Sequence, residues 1–294
     1  MIKELIQTKC PTLALPFLVY AATVLCSCKQ KGYGSPDGYN LEKPKVMQLG
    51  KVLNEISGLS YDASSGDLLA ISDSKEKVFE IKLKSNKLKD LTGKVVPSGS
   101  DLEDLVKVEN TVYLLGSKGI ITAVSPGAQD TTGLQKYTIG LSGQNDFETL
   151  YYDPTVDGLV MMCKTCSHEK GHHIRTAYRF DLKTRQFDTT ALYTIAKSSI
   201  EDVLKDNDIK FDPSGAAIHP ISKRLYILSS AGNLLVITDT RGKVIEGYKL
   251  NPDKFPQAEG IAFAPNGDMY ISNEGKEGKP TLLLFPYHES KKNK

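Results

Sequence analysis

One short acidic phrase occurs five times in this chain, and its spacing constrains the fold more than any other feature. The copies cover residues 55–59, 101–105, 146–150, 212–216 and 257–261. Their central residues are Ser57, Glu103, Glu148, Ser214 and Glu259, which stand 46, 45, 66 and 45 positions apart. A period in the forties is typical of propeller blades, in which each repeat forms one small sheet. The spacing therefore predicts an all-β chain folded as a single β-propeller.

An apolar strand follows each phrase after a turn rich in Gly, Pro, Asn or Asp. These second strands cover residues 68–72, 112–117, 159–163, 225–229 and 269–272. They are apolar throughout, as expected for strands buried on both faces between stacked blades. We predict five blades, because each repeat has one phrase. Six blades remain an alternative, since the long third repeat has room for another.

The fifth repeat ends near Tyr287 after three strands, so its outer strand must come from elsewhere. We predict that residues 46–49 supply it, because an N-terminal strand would close the ring and leave no open sheet edge. The propeller would then span residues 46–288, followed by a basic tail at residues 289–294.

The first residues have the pattern of an export signal. Lys3 and Lys9 precede an apolar stretch that is too short to cross a bilayer comfortably. The stretch ends in LCSC, which resembles the lipobox of bacterial lipoproteins. This resemblance implies that residues 1–27 are a signal peptide and that Cys28 carries the lipid anchor, with residues 28–45 as a flexible tether. An ordinary signal peptide or an uncleaved anchor is the alternative. No run of Asp or Glu follows Cys28, which favours a lipoprotein that faces the periplasm. The pattern is compatible with an anchor in either membrane.

Two cysteines remain after such processing, Cys163 and Cys166, and both lie in a histidine-rich loop. In an exported protein we favour a disulfide between them. The alternative is a zinc or copper site that also uses the nearby imidazoles of His168, His172 and His173.

The blade geometry predicts an acidic mouth at one end of the central channel, because every phrase begins the innermost strand of its blade. Positions two apart on a strand share a side. One rung is predicted to contain Glu55, Asp101, Asp146 and Asp212, and the next Ser57, Glu103, Glu148, Ser214 and Glu259. The loops after the second strands add Asp73, Lys164, Asn273 and Glu274. Residues 198–204 have capping-box spacing and predict a short helix that acts as a partial lid.

So many carboxylates in one channel would raise each other's pKa unless cations compensate. Oxygen-rich sites of this kind suit calcium or magnesium. We therefore regard Asp101, Glu103, Asp146, Glu148 and Glu259 as candidate calcium ligands. The alternative is purely structural: the acids cap backbone amides at blade junctions or pair with Lys and Arg of neighbouring blades.

The phrases NEISGLSY, SDLEDL, NDFETL and QAEGIA, which begin at residues 54, 100, 145 and 257, resemble those of the SdiA-regulated propeller family. The resemblance covers residues 45–288. It implies a β-propeller in the envelope of Gram-negative bacteria, without a settled activity. The phrases are also similar to those of esterase-like phytase and lactonase propellers, in which acidic residues hold a catalytic cation. This chain departs from a full acidic ring at Gln257, Ser57 and Ser214.

Two functions follow from these features. We favour a lipid-anchored module that binds a cation, a small ligand or an envelope protein through its acidic mouth. The alternative is a cation-dependent hydrolase of phosphoesters or lactones, which needs a base such as His219 or a loop histidine. His219 lies in a turn predicted on the opposite face, which weakens the hydrolase hypothesis. The net charge of +2 does not indicate a nucleic-acid surface.

Overall fold

A computed structural model describes residues 33–91, 99, 101–124, 134–276 and 278–289. Over this part of the chain the strands form five antiparallel sheets, so the predicted five-bladed propeller is confirmed. In chain order the strands are β1 (Lys45–Gln48), β2 (Ile56–Asp62), β3 (Asp67–Ser72), β4 (Lys77–Lys82), β5 (Lys87–Asp90), β6 (Leu102–Val108), β7 (Thr111–Gly116), β8 (Ile120–Val124), β9 (Gln135–Thr138), β10 (Asn145–Asp153), β11 (Gly158–Cys166), β12 (Ile174–Asp181), β13 (Gln186–Phe187), β14 (Tyr193–Ala196), β15 (Gly215–Ile218), β16 (Leu225–Ser229), β17 (Leu234–Thr238), β18 (Val244–Lys249), β19 (Ala258–Phe263), β20 (Met269–Asn273) and β21 (Thr281–Phe285). The predicted signal peptide, the lipidation site Cys28 and the tail from residue 290 onward lie outside the described residues.

The N-terminal strand completes the last blade. β1 pairs antiparallel with β21, from Lys45 opposite Leu284 to Gln48 opposite Thr281. The fifth blade therefore has the strand order β19, β20, β21, β1, as the short fifth repeat predicted. Pairing the first strand with the last strand in one sheet closes the ring.

The long third repeat is fully described and contains one blade, so the alternative of six blades is wrong. Its extra residues divide the outer strand in two. β13 pairs with one end of β12 through Phe187 and Phe180, and β14 pairs with the other end through Ala196 and Ile174. A short helix, α1 (Lys197–Leu204), follows β14 directly. These additions account for the larger spacing between the third and fourth phrases.

Helix α1 differs in detail from the prediction. Its N-cap is Ala196, which makes no side-chain capping bond, so the expected capping box at Ser198 is wrong. The first turn is instead held by the Lys197 amide, which donates to the His173 carbonyl at 2.9 Å. Leu204 packs beside Gly247 in β18, an outer strand of the fourth blade. The helix thus lies at the periphery, and the expectation of a lid over the channel is wrong. Among the described residues, no helix combines the length and apolarity needed to cross a bilayer.

The core of the propeller lies between the blades, as the apolar second strands predicted. All residues of β3, β16 and β20 are buried. The innermost strands contact each other in the order β2, β6, β10, β15, β19 and back to β2, which closes the ring. Burial of these aliphatic strands on both faces supplies the main stabilising term of the fold.

Bulges interrupt four of the five innermost strands at the repeated phrase. Pairing shifts register between Ile56 and Leu59 in β2, between Leu102 and Asp104 in β6, and between Ala258 and Ile261 in β19; β10 has two such shifts around Phe147. A bulge bends a strand and re-aims the side chain that it leaves unpaired. The central residue of the phrase is therefore turned out of the ladder at the end of the channel.

Glycines after the central residue allow adjacent innermost strands to approach. A Cβ at Gly58 would lie 2.3 Å from Asp104 Oδ1, and one at Gly215 would lie 2.2 Å from the Glu259 carbonyl oxygen. Only glycine fits where two backbones come this close. This packing explains why the phrase contains Gly in three of its five copies.

The described residues before β1 pack on the propeller. Tyr39 and Leu41 are buried in the core between the fourth and fifth blades. The Tyr39 hydroxyl donates to the Gly267 carbonyl at 2.6 Å, which ties this segment to the fifth blade. The expectation of a flexible tether is therefore wrong for residues 33–44, because their apolar side chains are buried.

Candidate functional site

The start of each innermost strand and the loops after the second strands meet at one end of the channel. We call this end the acidic mouth; it comprises Glu55, Asp73, Asp101, Glu103, Asp146, Glu148, Lys164, Glu259 and Glu274. The acids influence each other electrostatically from blade to blade: the pKa of Glu103 is affected by Asp73 and Glu148, and that of Glu274 by Glu55 and Glu148. The structure thus brings these predicted residues together.

Three carboxylates form the centre of the acidic mouth. Glu103 lies on the bulge of β6, while Asp146 and Glu148 lie on the irregular start of β10. One oxygen from each lies within 4.8 Å of the others. Converging oxygens of this kind can hold a calcium ion with small side-chain adjustments.

Burial and mutual repulsion strongly disfavour the charged forms of these acids. Burial, followed by the charges of Glu148, Asp73 and other neighbours, raises the pKa of Glu103 to about 9. Burial also raises the pKa of Asp146, and the nearby Asp101 adds to the effect. Without a cation, Glu103 therefore holds its proton at neutral pH.

A second pair of acids with raised pKa values faces the same channel from the fifth blade. Burial raises the pKa of Glu259 to about 8, although a hydrogen bond from Gln257 works against it. Burial and the charges of Glu55 and Asp73 raise the pKa of Glu274 to about 7, against the nearby Lys276. Carboxyl groups that titrate near neutral pH can accept or donate protons in catalysis.

Lys164 is the cation that the protein itself supplies to the centre. Its ammonium donates a hydrogen bond to Glu148 Oε1. Burial works to lower the pKa of Lys164, but the bond to Glu148 and the charges of Asp146 and Glu259 outweigh it and raise the pKa. Burial still raises the pKa of Glu148 despite this partner. One ammonium therefore only partly compensates the acids around it.

The rim of the mouth is more open. Glu55 and Asp101 are exposed, and Asp101 accepts a hydrogen bond from the Ser117 hydroxyl. Burial raises the pKa of Asp73, and the charges of Asp101 and Glu55 add to it. A pocket of about 600 Å³ opens here between the second and third blades, lined by residues that include Asp101, Glu103 and Asp146. A small ligand could thus reach the central carboxylates.

Two residues that were predicted to line the mouth, Asp212 and Asn273, instead bond to neighbouring protein groups. Asp212 forms an ion pair with Arg175. Asn273 is buried, and its amide donates to the Lys254 carbonyl at 3.0 Å and to the Thr281 hydroxyl at 3.1 Å. Asp212 still adds its charge to the field at Glu148. The contacts of Asn273 instead hold the ends of two strands together.

The cysteines of the histidine-rich loop are paired with each other. The structure joins Cys163 to Cys166 in the disulfide that we favoured. His168, His172 and His173 are all exposed, and only His168 lies close to Cys163. The alternative of a zinc or copper site that uses all three imidazoles is therefore not assembled in this oxidised form.

His219 is unsuited to act as a base at the acidic mouth. It is buried beside Tyr39, and its Nδ1 accepts hydrogen bonds from the Ile221 and Ser222 amides at 3.2 and 3.0 Å. Its Nε2 therefore donates to the Tyr39 hydroxyl, 2.7 Å away. Burial lowers the pKa of His219 to about 4, so it is a neutral structural residue. The proposed role of His219 as a base is wrong.

Sequence reasoning missed three charged residues near the site. Arg175 lies between Asp212 and Glu169, which are both its ion-pair partners. Asp104 is buried and accepts from the Leu105 and Leu150 amides at 2.8 and 2.7 Å, which joins the second and third blades. The position of Asp104 in the phrase, where three other copies have Gly, was the available signal. Arg175 and Glu169 carry no periodic signal, because they lie in β12 and in the loop before it, outside the repeated phrase.

The fold and the site define a five-bladed β-propeller with an acidic channel mouth. The family model described as SdiA-regulated matches residues 36–277, and the chain belongs to this family. No curated protein matches the sequence.

Solved structures with a similar fold have little sequence in common with this chain. A luciferin-regenerating enzyme is 12% identical, with a TM-score of 0.51 over 83% of this chain and 95% of its own. Regucalcin from Agrobacterium tumefaciens, described as a calcium-binding protein, is 14% identical, with a TM-score of 0.50 over 85% of this chain and 95% of its own. At these identities the likeness concerns the propeller fold alone.

Proposed function

We propose that this protein is a lipid-anchored propeller of the bacterial envelope that binds calcium at its acidic mouth and presents the loaded mouth to a small ligand or an envelope protein. The observation that carries the proposal is the convergence of Glu103, Asp146 and Glu148 within 4.8 Å. The lipid on Cys28 would hold the propeller at a membrane, facing the periplasm.

The chemistry of the central carboxylates fits a hard divalent cation. Carboxylate oxygens are the preferred ligands of calcium, which tolerates irregular geometry. Burial and repulsion raise the pKa values of all three acids, so their charged forms lack adequate compensation. A bound calcium ion would supply that compensation and displace the proton that Glu103 otherwise holds. Regucalcin, described as calcium-binding, has a similar propeller fold.

A calcium titration with a matched control tests the proposal. The double variant Glu103→Gln, Glu148→Gln removes two ligand charges with little change in size. Glu109→Gln makes the same chemical change in the turn between β6 and β7, away from the mouth. We expect isothermal titration calorimetry at pH 7.5 to show calcium binding to the wild type and to the Glu109 variant, with loss in the double variant. Equal binding by all three proteins would contradict the proposal.

A second candidate function is cation-dependent hydrolysis of a phosphoester or lactone. The pKa of about 8 at Glu259 favours it, because this acid lies near the central carboxylates and titrates close to neutral pH. A cation held there would supply Lewis-acid chemistry, and Glu259 would move the proton. A panel of phosphoesters and lactones, assayed with calcium, magnesium or zinc, should show turnover that Glu259→Gln abolishes. If the protein binds calcium but turns over no substrate of the panel, the hydrolase function is excluded and only the binding function stands.

A further inference from the structure

The histidine-rich loop folds back over its own disulfide. β11 ends at Cys166, and the next three residues, Ser167–Glu169, form a 3₁₀ turn. The turn is fixed to the start of β10, because the Ser167 amide and hydroxyl both donate to the Gln144 carbonyl at 2.9 Å. This places His168 and Glu169 close to Cys163, where single ligand atoms of the three residues lie within 4.8 Å of one another.

Glu169 is the unusual member of this group. Only 4% of its surface is exposed. Its Oε1 accepts from the Thr176 amide at 2.5 Å, but its Oε2 is buried and has no hydrogen-bond partner. Arg175 Nη1 lies 3.6 Å from Oε2, too far for a hydrogen bond. A buried carboxylate oxygen without a hydrogen-bond donor is costly, and the ion pair with Arg175 offsets only part of that cost. The Glu169 carboxylate, which lies beside a sulfur and an imidazole, can therefore take a further cation.

We propose that Cys163, Cys166, His168 and Glu169 form a zinc site when the disulfide is reduced. Two thiolates, one imidazole and one carboxylate are a suitable four-ligand set for tetrahedral zinc. The bond lengths of such a site place its ligand atoms roughly 3.3–3.8 Å apart, so the three atoms within 4.8 Å need only small shifts. The sulfur of Cys166 joins them once its bond to Cys163 is broken.

The redox step balances with a dithiol as the reductant. The protein disulfide accepts two electrons and two protons and becomes two thiols, while the dithiol becomes a cyclic disulfide. Zinc then binds the thiolates, and the two thiol protons pass to solvent. Cys166 lines a pocket of about 490 Å³ that a small dithiol can enter.

Residues around the four ligands suit the bound metal. The Tyr178 hydroxyl lies 3.0 Å from His168 Nε2, so Nδ1 is the nitrogen left to face the metal. Such a bond to the second ring nitrogen orients ligating histidines in zinc proteins. Two thiolates and a carboxylate would give the zinc site a net charge of −1, which the Arg175 guanidinium would offset. The oxidised loop offers no thiolate, so the disulfide and the zinc exclude each other.

Zinc titration of the reduced and oxidised proteins tests this inference. The purified protein is reduced with dithiothreitol, desalted without oxygen and titrated with zinc against a chromophoric chelator. We expect one zinc per reduced chain and none in the oxidised protein. Cobalt(II) in place of zinc should give the visible absorption and thiolate charge-transfer bands of a tetrahedral site with two sulfurs.

Variants within the loop distinguish this site from unspecific binding. Glu169→Gln and His168→Asn should each weaken zinc binding at least tenfold, whereas His172→Asn changes an imidazole outside the group and should leave the affinity unchanged. Circular dichroism checks that the reduced chain keeps its β signal. The inference is overturned if the reduced protein binds no stoichiometric zinc, if it loses its fold, or if His172→Asn weakens binding as much as His168→Asn. None of these outcomes depends on calcium binding at the acidic mouth.

Discussion

Raising the pH from 7 to 8 should destabilise the propeller, because two carboxyl groups in the acidic mouth hold protons that the unfolded chain has released. Burial and neighbouring charges raise the pKa of Glu103 from 4.5 to about 9, and burial raises that of Glu259 from 4.5 to about 8. Between pH 7 and 8 the folded protein therefore binds more protons than the unfolded chain. The free energy of unfolding falls with rising pH under this condition.

The magnitude follows from the two pKa values. The stability that these protons add is fully present below pH 4.5 and is lost as the pH rises through 8 and 9. A carboxyl group that stays protonated in the folded state contributes about 1.4 kcal/mol per pH unit. Glu103 keeps most of its proton up to pH 8, whereas Glu259 has lost about half, so the expected loss is about 2 kcal/mol. His219 adds almost no slope here, because both its pKa of about 4 in the folded protein and its ordinary value of 6.5 lie below pH 7.

Urea unfolding at pH 7 and pH 8, without divalent cations, measures this loss. The double variant Glu103→Gln, Glu259→Gln has neutral side chains at both pH values, so its unfolding free energy should fall only by the roughly 0.4 kcal/mol that Glu274, with a pKa of about 7, still contributes. Glu109→Gln should lose as much unfolding free energy between pH 7 and pH 8 as the wild type does. A double variant that loses as much stability as the wild type would refute the assignment of the protons to these two acids.

Three further predictions follow from individual residues. Replacing Lys164 by Met should tighten calcium binding in calorimetry, because the ammonium competes with the cation for Glu148; weaker binding would show that Lys164 supports the site instead. Asp104→Ala should lower the free energy of unfolding by about 1–3 kcal/mol in urea denaturation, since it leaves the Leu150 amide without its acceptor; an unchanged midpoint would contradict this role. Cys28→Ser should leave an unprocessed precursor and abolish labelling by a fatty-acid analogue, and undiminished labelling would rule out the lipobox.

The blades could be predicted from sequence because each repeat carries its own signal. The phrase, the turn and the apolar second strand stand at nearly constant spacing, and the missing fourth strand of the last repeat required β1 to pair with β21. Local pattern did not reveal contacts between distant segments. Tyr39 and Leu41 lie in a stretch that reads as a polar linker, yet they are buried between two blades.

The acidic mouth was predictable as a set of residues but not as a geometry. The matched positions of the phrase placed Glu103, Glu148 and Glu259 at one end of the channel. The bulges that turn these side chains are set by pairing with the second strands, which residue spacing alone does not encode. Arg175 lies in β12, outside the repeated phrase, so the repeat pattern could not indicate its pairing with Asp212.

The serine copies of the phrase argue that the central carboxylates are not needed to build the blades. Ser214 holds the position of Glu103 in the fourth blade, and its hydroxyl donates to the Ala258 carbonyl at 2.9 Å. Ser57 takes the same position in the first blade, and both sheets form with the usual four strands. The glutamates at this position instead carry raised pKa values and reduce stability as the pH rises. Residues that cost stability where a smaller side chain suffices are typical of functional sites, and this favours a cation-binding role for the acidic mouth over a purely structural one.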